Sequence, residues 1–279
     1  MNCKICNSDN IDNHLHGKYE VTTCRNCKIT YNSKFPTKEE LDEQYSKYYT
    51  LPVDDTHNAE RRRLFRYPEN LSLIKDIMQY AKPPSSIVDI GCDRGFFLDE
   101  ARRYGYEVNG VELSNDAKIY NKKIHIEVKD RLEDYDHKFN IATMWHSLEH
   151  IENPVEYLGL IKSKLSNPGY LFIRVPDYGS YWSNFMKDKW DWFSPNVHLF
   201  HYNIESLEFL LRQSGFAIEK IIQRKPNNTL TKQSFKLSNN IFDLIYDNRL
   251  LPRKKLARKV QDIIHSELYV IAKLEYVKQ

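Results

Sequence analysis

The fold of this chain is decided by Ile87-Val-Asp-Ile-Gly-Cys-Asp-Arg-Gly-Phe-Phe-Leu-Asp-Glu-Ala101. Its first four residues form an apolar run broken only by Asp89, which is short enough for a buried strand. Gly91 and Gly95 then bracket a tight turn, and apolar residues recur after it at helical spacing. A strand, a glycine turn and a helix bring backbone N–H groups and a positive helix end up to a bound ligand.

A second predicted strand, residues 107–111, runs directly into Glu112. A carboxylate at the end of the second strand accepts hydrogen bonds from the hydroxyls of a ribose in nucleotide-binding folds. The two features together predict a ligand that carries an adenosine.

The turn lacks the third glycine of the dinucleotide fingerprint, and an acid stands two residues before its first glycine. This pattern, followed by Glu112, resembles motif I of the class I S-adenosylmethionine-dependent methyltransferases, with Asp93 standing where that family commonly has glycine. The resemblance implies S-adenosylmethionine as the cofactor. It implies an α/β fold, with a seven-stranded Rossmann-like sheet whose last strand is antiparallel. It also implies a set of cofactor-binding residues, with Asp130 or Arg131 at the adenine: Asp89, Gly91, Cys92, Asp93, Gly95, Glu112, Leu113, Asp130, Arg131 and Trp145.

The overall composition narrows the class of partner. Of 279 residues, 41 % are hydrophobic and 28 % are charged, which suits a packed core beneath a polar surface. A net charge of +3 is too small to indicate a nucleic-acid partner. No apolar run reaches about eighteen residues, and the N-terminus lacks the apolar segment of a signal peptide. We therefore expect a small-molecule acceptor, no stable membrane insertion and a cytoplasmic location.

Four of the five cysteines form two C-x-x-C pairs, Cys3 with Cys6 and Cys24 with Cys27. This spacing is typical of a four-cysteine zinc ribbon, in which a closed thiolate shell holds a structural metal. A segment this short buries too little apolar surface to fold alone, so the metal would supply the folding energy. A redox-active C-x-x-C would not need two copies.

Two further stretches extend the resemblance. Thr23-Cys-Arg-Asn-Cys-Lys-Ile-Thr-Tyr31 and Met144-Trp-His-Ser-Leu-Glu-His-Ile-Glu-Asn-Pro154 are similar to bacterial methyltransferases with an N-terminal zinc ribbon that modify cell-surface or secondary-metabolite sugars. We accordingly divide the chain into a zinc ribbon (1–36), a helical connector (37–82) and a class I methyltransferase domain (83–279). Residues 226–265 are a helical insertion in that last domain.

Local patterns predict the remaining elements. Thr37 with Glu40 forms a capping box, and Ser114 and Asn203 cap later helices. We expect a helix over 61–81 with Pro68 near a helix start, and a helix from Pro154 that Asn167-Pro-Gly169 ends. Strands are predicted at 124–128, 139–145, 170–175, 216–223 and 267–275, with a long loop over 177–202.

Methyl transfer from a sulfonium requires the acceptor to be positioned and often deprotonated. The candidate bases are His146, His150 and His198, with Glu149 as a possible orienting group. His146 directly follows the fourth strand, where an open α/β sheet presents its ligand crevice. His150 could instead line the wall of the pocket. Each of the three histidines is also compatible with an ordinary core position and no catalytic role.

The loop over 177–202 contains Trp182, Trp190 and Trp192. These tryptophans are either core residues or flat platforms for a sugar ring. We predict methyl transfer to a hydroxyl of a nucleotide-linked or glycan sugar. The alternatives are methylation of a quinone precursor or RNA, or a degenerate scaffold that binds the cofactor without turnover.

Overall fold

The computed structural model describes residues 2–48, 56–190, 192–223 and 267–275. In chain order the elements of these residues are β1 (Ile11–His16), β2 (Tyr19–Cys24), β3 (Thr30–Asn32), α1 (Lys38–Tyr48), α2 (Thr56–Ile77), β4 (Ser86–Ile90), α3 (Phe96–Arg103), β5 (Glu107–Val111), α4 (Asn115–Lys123), β6 (Glu127–Lys129), β7 (Phe139–Trp145), α5 (Pro154–Lys164), β8 (Leu165–Pro176), α6 (Tyr181–Met186), β9 (Phe200–His201), α7 (Ile204–Gln213), β10 (Phe216–Gln223) and β11 (Glu267–Leu274). The predicted insertion at 226–265 lies outside the described residues.

The larger sheet has seven strands in the order β10-β11-β8-β7-β4-β5-β6. Five adjacent strands run parallel to one another, namely β8, β7, β4, β5 and β6. β11 runs antiparallel to both β8 and β10. The predicted Rossmann-like sheet with an antiparallel last strand is therefore confirmed. The central strands read as nearly continuous apolar runs because both faces of a parallel sheet are covered.

This topology determines where a ligand can bind. The chain leaves β4 into the glycine turn, β5 into Glu112 and β7 into His146. Parallel strands end at the same edge of a sheet, so all three segments meet at one carboxyl-terminal edge. In open α/β sheets this edge carries the ligand crevice.

The predicted helix caps are present. The Thr37 backbone N–H donates to the Glu40 carboxylate at 2.7 Å, and the Glu40 N–H donates to the Thr37 hydroxyl. Ser114 accepts from the Ala117 N–H. Asn203 forms a reciprocal capping box, with Ser206 in the place usually taken by an acid or glutamine.

The second helix differs from its prediction at both ends. It begins at Thr56 and ends at Ile77, so Pro68 lies inside it and not near its start. The helix begins with a polar run, Thr56-His-Asn-Ala-Glu60, which offers no apolar stripe to locate a helix start.

Two strand boundaries also differ. β6 begins at Glu127 because Ile124 is the C-cap of α4 and Ile126 packs into the core. β8 begins at Leu165, so Asn167-Pro-Gly169 lies within a strand and does not end the preceding helix. A register shift between Phe139 and Ile141 of the neighbouring strand accompanies this early start.

The N-terminal cysteine segment builds a second, four-stranded sheet in the order β1-β2-β3-β9. Its last strand lies inside the predicted loop 177–202, with Tyr31 paired to Phe200 and Thr30 to His201. The buried ribbon residues Ile29 and Tyr31 belong to the same hydrophobic core as Phe200. The ribbon therefore packs directly on the segment that carries His198. Among the described residues, no helix has the length and apolar character needed to cross a membrane.

Candidate active site

The glycine turn has the backbone that its glycines predict. Gly91 and Gly95 have φ values of +74° and +66°, where L side chains are strained. A Cβ on Gly91 would meet the Ser147 Cβ at 3.0 Å, and one on Gly95 would meet the Asn121 side chain at 2.1 Å. Asp93 has φ +46°, a left-handed conformation that aspartate tolerates better than most residues. An aspartate at the family's usual glycine position is therefore compatible with this turn.

Glu112 closes the turn from the next strand. One carboxylate oxygen accepts from the Asp93 N–H at 3.0 Å, and the other accepts from the Ser114 N–H at 2.8 Å. Burial raises the pKa of this nearly inaccessible carboxyl group. The adjacent Leu113 is 75 % exposed, which leaves an apolar surface open at the mouth of the crevice.

Asp89 lies beneath the turn and is only 2 % exposed. The Thr143 hydroxyl donates to its carboxylate at 2.7 Å. Burial raises the pKa of Asp89 to about 8. Thr143 was not predicted as a site residue, and its only signal in the sequence was a hydroxyl group inside a mostly apolar strand.

The other predicted cofactor residues lie in less direct positions. The Cys92 side chain packs under Gly110, where an added Cβ would meet its sulfur at 2.5 Å, so only its backbone borders the turn. Asp130 pairs with Lys118 and Arg131 with Glu133. The Trp145 ring packs edge-on against the Phe97 ring, with ring centroids 5.3 Å apart.

His146 is held at the end of β7 in a left-handed conformation, with φ +57°. Its Nε2 lies 3.3 Å from the Glu267 carboxylate and its Nδ1 lies 3.7 Å from the Glu149 carboxylate. Burial alone would lower the pKa of His146, but these two carboxylates outweigh burial and raise that pKa. The imidazole also stacks on Trp192, with ring centroids 4.6 Å apart.

A buried charge network that was not predicted from the sequence lies behind His146. Arg174 of β8 forms ion pairs with Glu69 of α2 and with Glu267 of β11. Burial would raise the pKa of Glu267, but His146 and Arg174 outweigh it and lower that pKa. An arginine inside the apolar run of β8 was the available signal, since charged residues are rarely buried without a partner.

Glu149, His150 and His198 meet beside His146. His150 and Glu149 belong to a short 3₁₀ turn, and His198 comes from the segment after β8. The backbone N–H of Leu199 donates to the Glu149 carbonyl at 2.8 Å, which holds the two segments together. Burial lowers the pKa of His198 to about 4, so its imidazole is neutral.

Residues 59–221 match the family model described as a methyltransferase domain, which is more than half of the chain. This chain belongs to that methyltransferase family. It is an S-adenosylmethionine-dependent methyltransferase of class I, and the expectation of an enzyme is confirmed. No curated protein matches the chain.

Solved structures agree with the fold of this methyltransferase. A SAM-dependent methyltransferase from Archaeoglobus fulgidus is 23 % identical, with a TM-score of 0.51, over 75 % of this chain and 94 % of that chain. The plantazolicin methyltransferase BpumL, solved with SAH, is 16 % identical, with a TM-score of 0.51, over 85 % of this chain and 98 % of that chain. The [4+2]-cyclase SpnF is also 16 % identical, with a TM-score of 0.50, over 74 % of this chain and 81 % of that chain. Because a cyclase shares the fold, these likenesses show the fold alone.

The methyltransferase brings its four ribbon cysteines together. The Sγ atoms of Cys3 and Cys27 lie 3.6 Å apart, and those of Cys6 and Cys24 lie 3.5 Å apart. Four sulfur atoms bound to zinc at about 2.3 Å in a tetrahedron lie roughly 3.8 Å from one another, so the donor set fits zinc. Each C-x-x-C is followed by a residue in the left-handed region, Asn7 or Lys28.

Proposed function

We propose that this methyltransferase transfers the methyl group of S-adenosylmethionine to a hydroxyl of a nucleotide-linked or glycan sugar. One observation carries the proposal: His146 lies between two carboxylates and beneath the Trp192 ring, at the same sheet edge as the glycine turn. This arrangement offers a proton acceptor and a flat apolar surface to the same bound molecule.

The cofactor would occupy the crevice between the glycine turn and Glu112. Both Glu112 oxygens already accept one backbone N–H, and each has a further lone pair for a ribose hydroxyl. The close approach of Ser147 to Gly91 sets the turn directly beside the His146 segment. We assign Leu113 to the adenine face, with Asp130 or Arg131 at its edge.

His146 would act as the general base. The hydroxyl oxygen gains the methyl group as the carbon–sulfur bond breaks, with its electron pair staying on sulfur, and the hydroxyl proton passes to His146. Glu267 faces Nε2 of the ring and would hold its orientation.

The aromatic and charged surroundings support a sugar acceptor. The half-buried ring of Trp192 lies against His146, and flat aromatic faces suit the apolar faces of sugar rings. A groove of about 430 Å³ beside the ribbon is less suitable for a nucleotide diphosphate, because its lining includes Glu20, Glu40 and Glu43 but only one lysine, Lys34. We therefore place the acceptor at the sheet edge.

The ribbon would hold one structural zinc through Cys3, Cys6, Cys24 and Cys27. A complete thiolate shell leaves no open coordination position, so this metal stabilises the fold and takes no part in methyl transfer. Its role would be to hold β3 against β9 and thereby the segment that carries His198.

An acceptor panel tests the proposal. The full-length protein is incubated with S-adenosylmethionine carrying a labelled methyl group and with nucleotide-linked sugars, glycans, phenolic quinone precursors or RNA. We expect label transfer to a sugar hydroxyl, lost in His146→Ala and retained in His137→Ala, which changes an exposed histidine beyond the opposite end of β7. Transfer to a phenol or to RNA alone would contradict the sugar assignment.

A further inference from the structure

A second group of metal-binding side chains lies outside the ribbon. Glu149, His150 and His198 each present one ligand atom, and these three atoms all lie within 4.8 Å of one another. We propose that they form a binding site for one divalent cation of the zinc class, distinct from the ribbon metal. The donor set of two histidines and one carboxylate is one that zinc uses where it keeps an open coordination position.

The two imidazoles are oriented as ligands. Nδ1 of His150 lies 2.9 Å from the Val197 carbonyl oxygen, and Nδ1 of His198 lies 2.8 Å from the Trp192 carbonyl oxygen. A carbonyl oxygen only accepts, so each Nδ1 carries a proton, and Nε2 is the nitrogen of each ring that remains to offer a lone pair to a metal. Histidine ligands characteristically donate their other N–H to a carbonyl or carboxylate in this way.

The Glu149 carboxylate supplies the independent evidence for a cation. Its residue is 1 % exposed, and neither carboxylate oxygen has a hydrogen-bond donor within the described part of the chain. The His146 Nδ1 lies 3.7 Å away, which is close enough for an ion pair with a protonated ring but beyond hydrogen-bond distance. A buried carboxylate costs several kcal/mol unless a charge or hydrogen bonds compensate it. A cation held by the three ligands would supply that compensation.

The scaffold of the site comes from three parts of the fold. Glu149 and His150 follow β7, and His198 lies between β8 and β9. The Asn32 side chain of the ribbon donates to the carbonyls of Pro195 and His198, at 2.7 and 2.9 Å. The ribbon therefore positions one of the three proposed ligands.

Binding would require a small contraction. Ligand atoms about 2.0–2.1 Å from a tetrahedral zinc are separated by roughly 3.4 Å. The distances between the three atoms, now up to 4.8 Å, would therefore shorten by up to about 1.4 Å. The half-buried His150 leaves one side of the site accessible. Any catalytic use of the cation, holding the acceptor hydroxyl and favouring its deprotonation, rests on the function proposed above.

Cobalt tests the site directly, because Co²⁺ replaces zinc and absorbs visible light. The full-length protein, with zinc in the ribbon, is titrated with Co²⁺ while its absorption spectrum is recorded. We expect one added equivalent per chain that lacks the sulfur-to-cobalt charge-transfer band of a thiolate site. Binding should weaken at least about 100-fold in Glu149→Gln and in His198→Asn, since losing even an outer partner of a ligand costs about 10–100-fold. His137→Ala should bind like the unaltered protein.

Two results would overturn the proposed cation site. If the unaltered protein takes up no cobalt beyond the ribbon, Glu149 is balanced by a protonated imidazole and the proposal is wrong. This measurement needs no variant, so a variant that fails to fold cannot obscure it. Cobalt binding that persists in both ligand variants would also overturn the site. If the cation binds but its removal leaves methyl transfer unchanged, the site stands and its catalytic use is wrong. If the acceptor panel fails, only the proposed function is affected.

Discussion

Nε2 of His146 lies 3.3 Å from the carboxylate of Glu267, although the two residues come from strands that are far apart in the sequence. In the sheet, β7 and β11 lie on either side of β8, which brings the ends of these two strands near each other. Arg174 of β8, the strand between them, pairs with Glu267. His146, Glu267, Arg174 and Glu69 thus form one continuous polar network inside an otherwise apolar domain.

Glu267→Gln should lower kcat by about 10-fold or more, because the carboxylate orients His146 and an amide does so less strongly. The expected loss stays within the roughly 10²–10⁴-fold that general base catalysis contributes. KM for the acceptor and affinity for S-adenosylhomocysteine should change little, which a purely structural defect would not predict. Glu275→Gln, at an exposed position just after the same strand, is the control. An unchanged kcat in Glu267→Gln would remove Glu267 from the mechanism.

Glu112→Ala should weaken S-adenosylhomocysteine binding at least about tenfold, measured by calorimetry. Hydrogen bonds to a charged group contribute about 1.5–3 kcal/mol each, and this carboxylate also accepts the Asp93 and Ser114 N–H groups that shape the turn. Glu107→Ala changes an exposed acid at the other end of β5 and should bind normally. Equal affinities for the two variants would place the cofactor elsewhere.

Loss of the ribbon metal should destabilise the whole domain. Cys24→Ser should lose one zinc per chain by elemental analysis and lower the unfolding temperature, because the ribbon residues share a core with Phe200. Cys92→Ala, which alters a buried cysteine remote from the ribbon set, should keep its zinc content. Retention of the full zinc content in Cys24→Ser would contradict the four-cysteine site.

Asp89 should make the protein less stable as the pH rises. Its pKa is about 8 in the folded state because of burial, with the charges of Glu112 and Asp93 adding to the effect, against 3.8 in an exposed chain. The folded state therefore holds an extra proton between about pH 4 and pH 8, and that contribution to stability is lost as the pH rises through this range.

Asp89→Asn tests this dependence, because an amide oxygen can still accept from Thr143 but never becomes charged. At pH 8 to 9 the variant should be more stable than the unaltered protein, by roughly 1–3 kcal/mol in chemical unfolding, while it binds the cofactor more weakly. Asp134→Asn, at an exposed site, should show neither effect. A parallel pH dependence in Asp89→Asn and the unaltered protein would rule out Asp89 as the source.

Local sequence determined much of this protein. The glycine turn and the caps at Ser114 and Asn203 follow from spacing, φ requirements and short-range hydrogen bonds, which involve only neighbouring residues. Where a segment lacked such signals, as in the polar start of α2, its boundary was predicted wrongly.

Tertiary structure alone decided what surrounds the candidate base. Glu149 could be proposed as a partner of His146 because both lie in one short block, but Glu267 and Arg174 meet it only after the sheet has ordered its strands. The same holds for β9, which joins the ribbon sheet from a segment far along the chain. Contacts of this kind depend on strand order and on packing between distant segments, and no local pattern in the sequence records them.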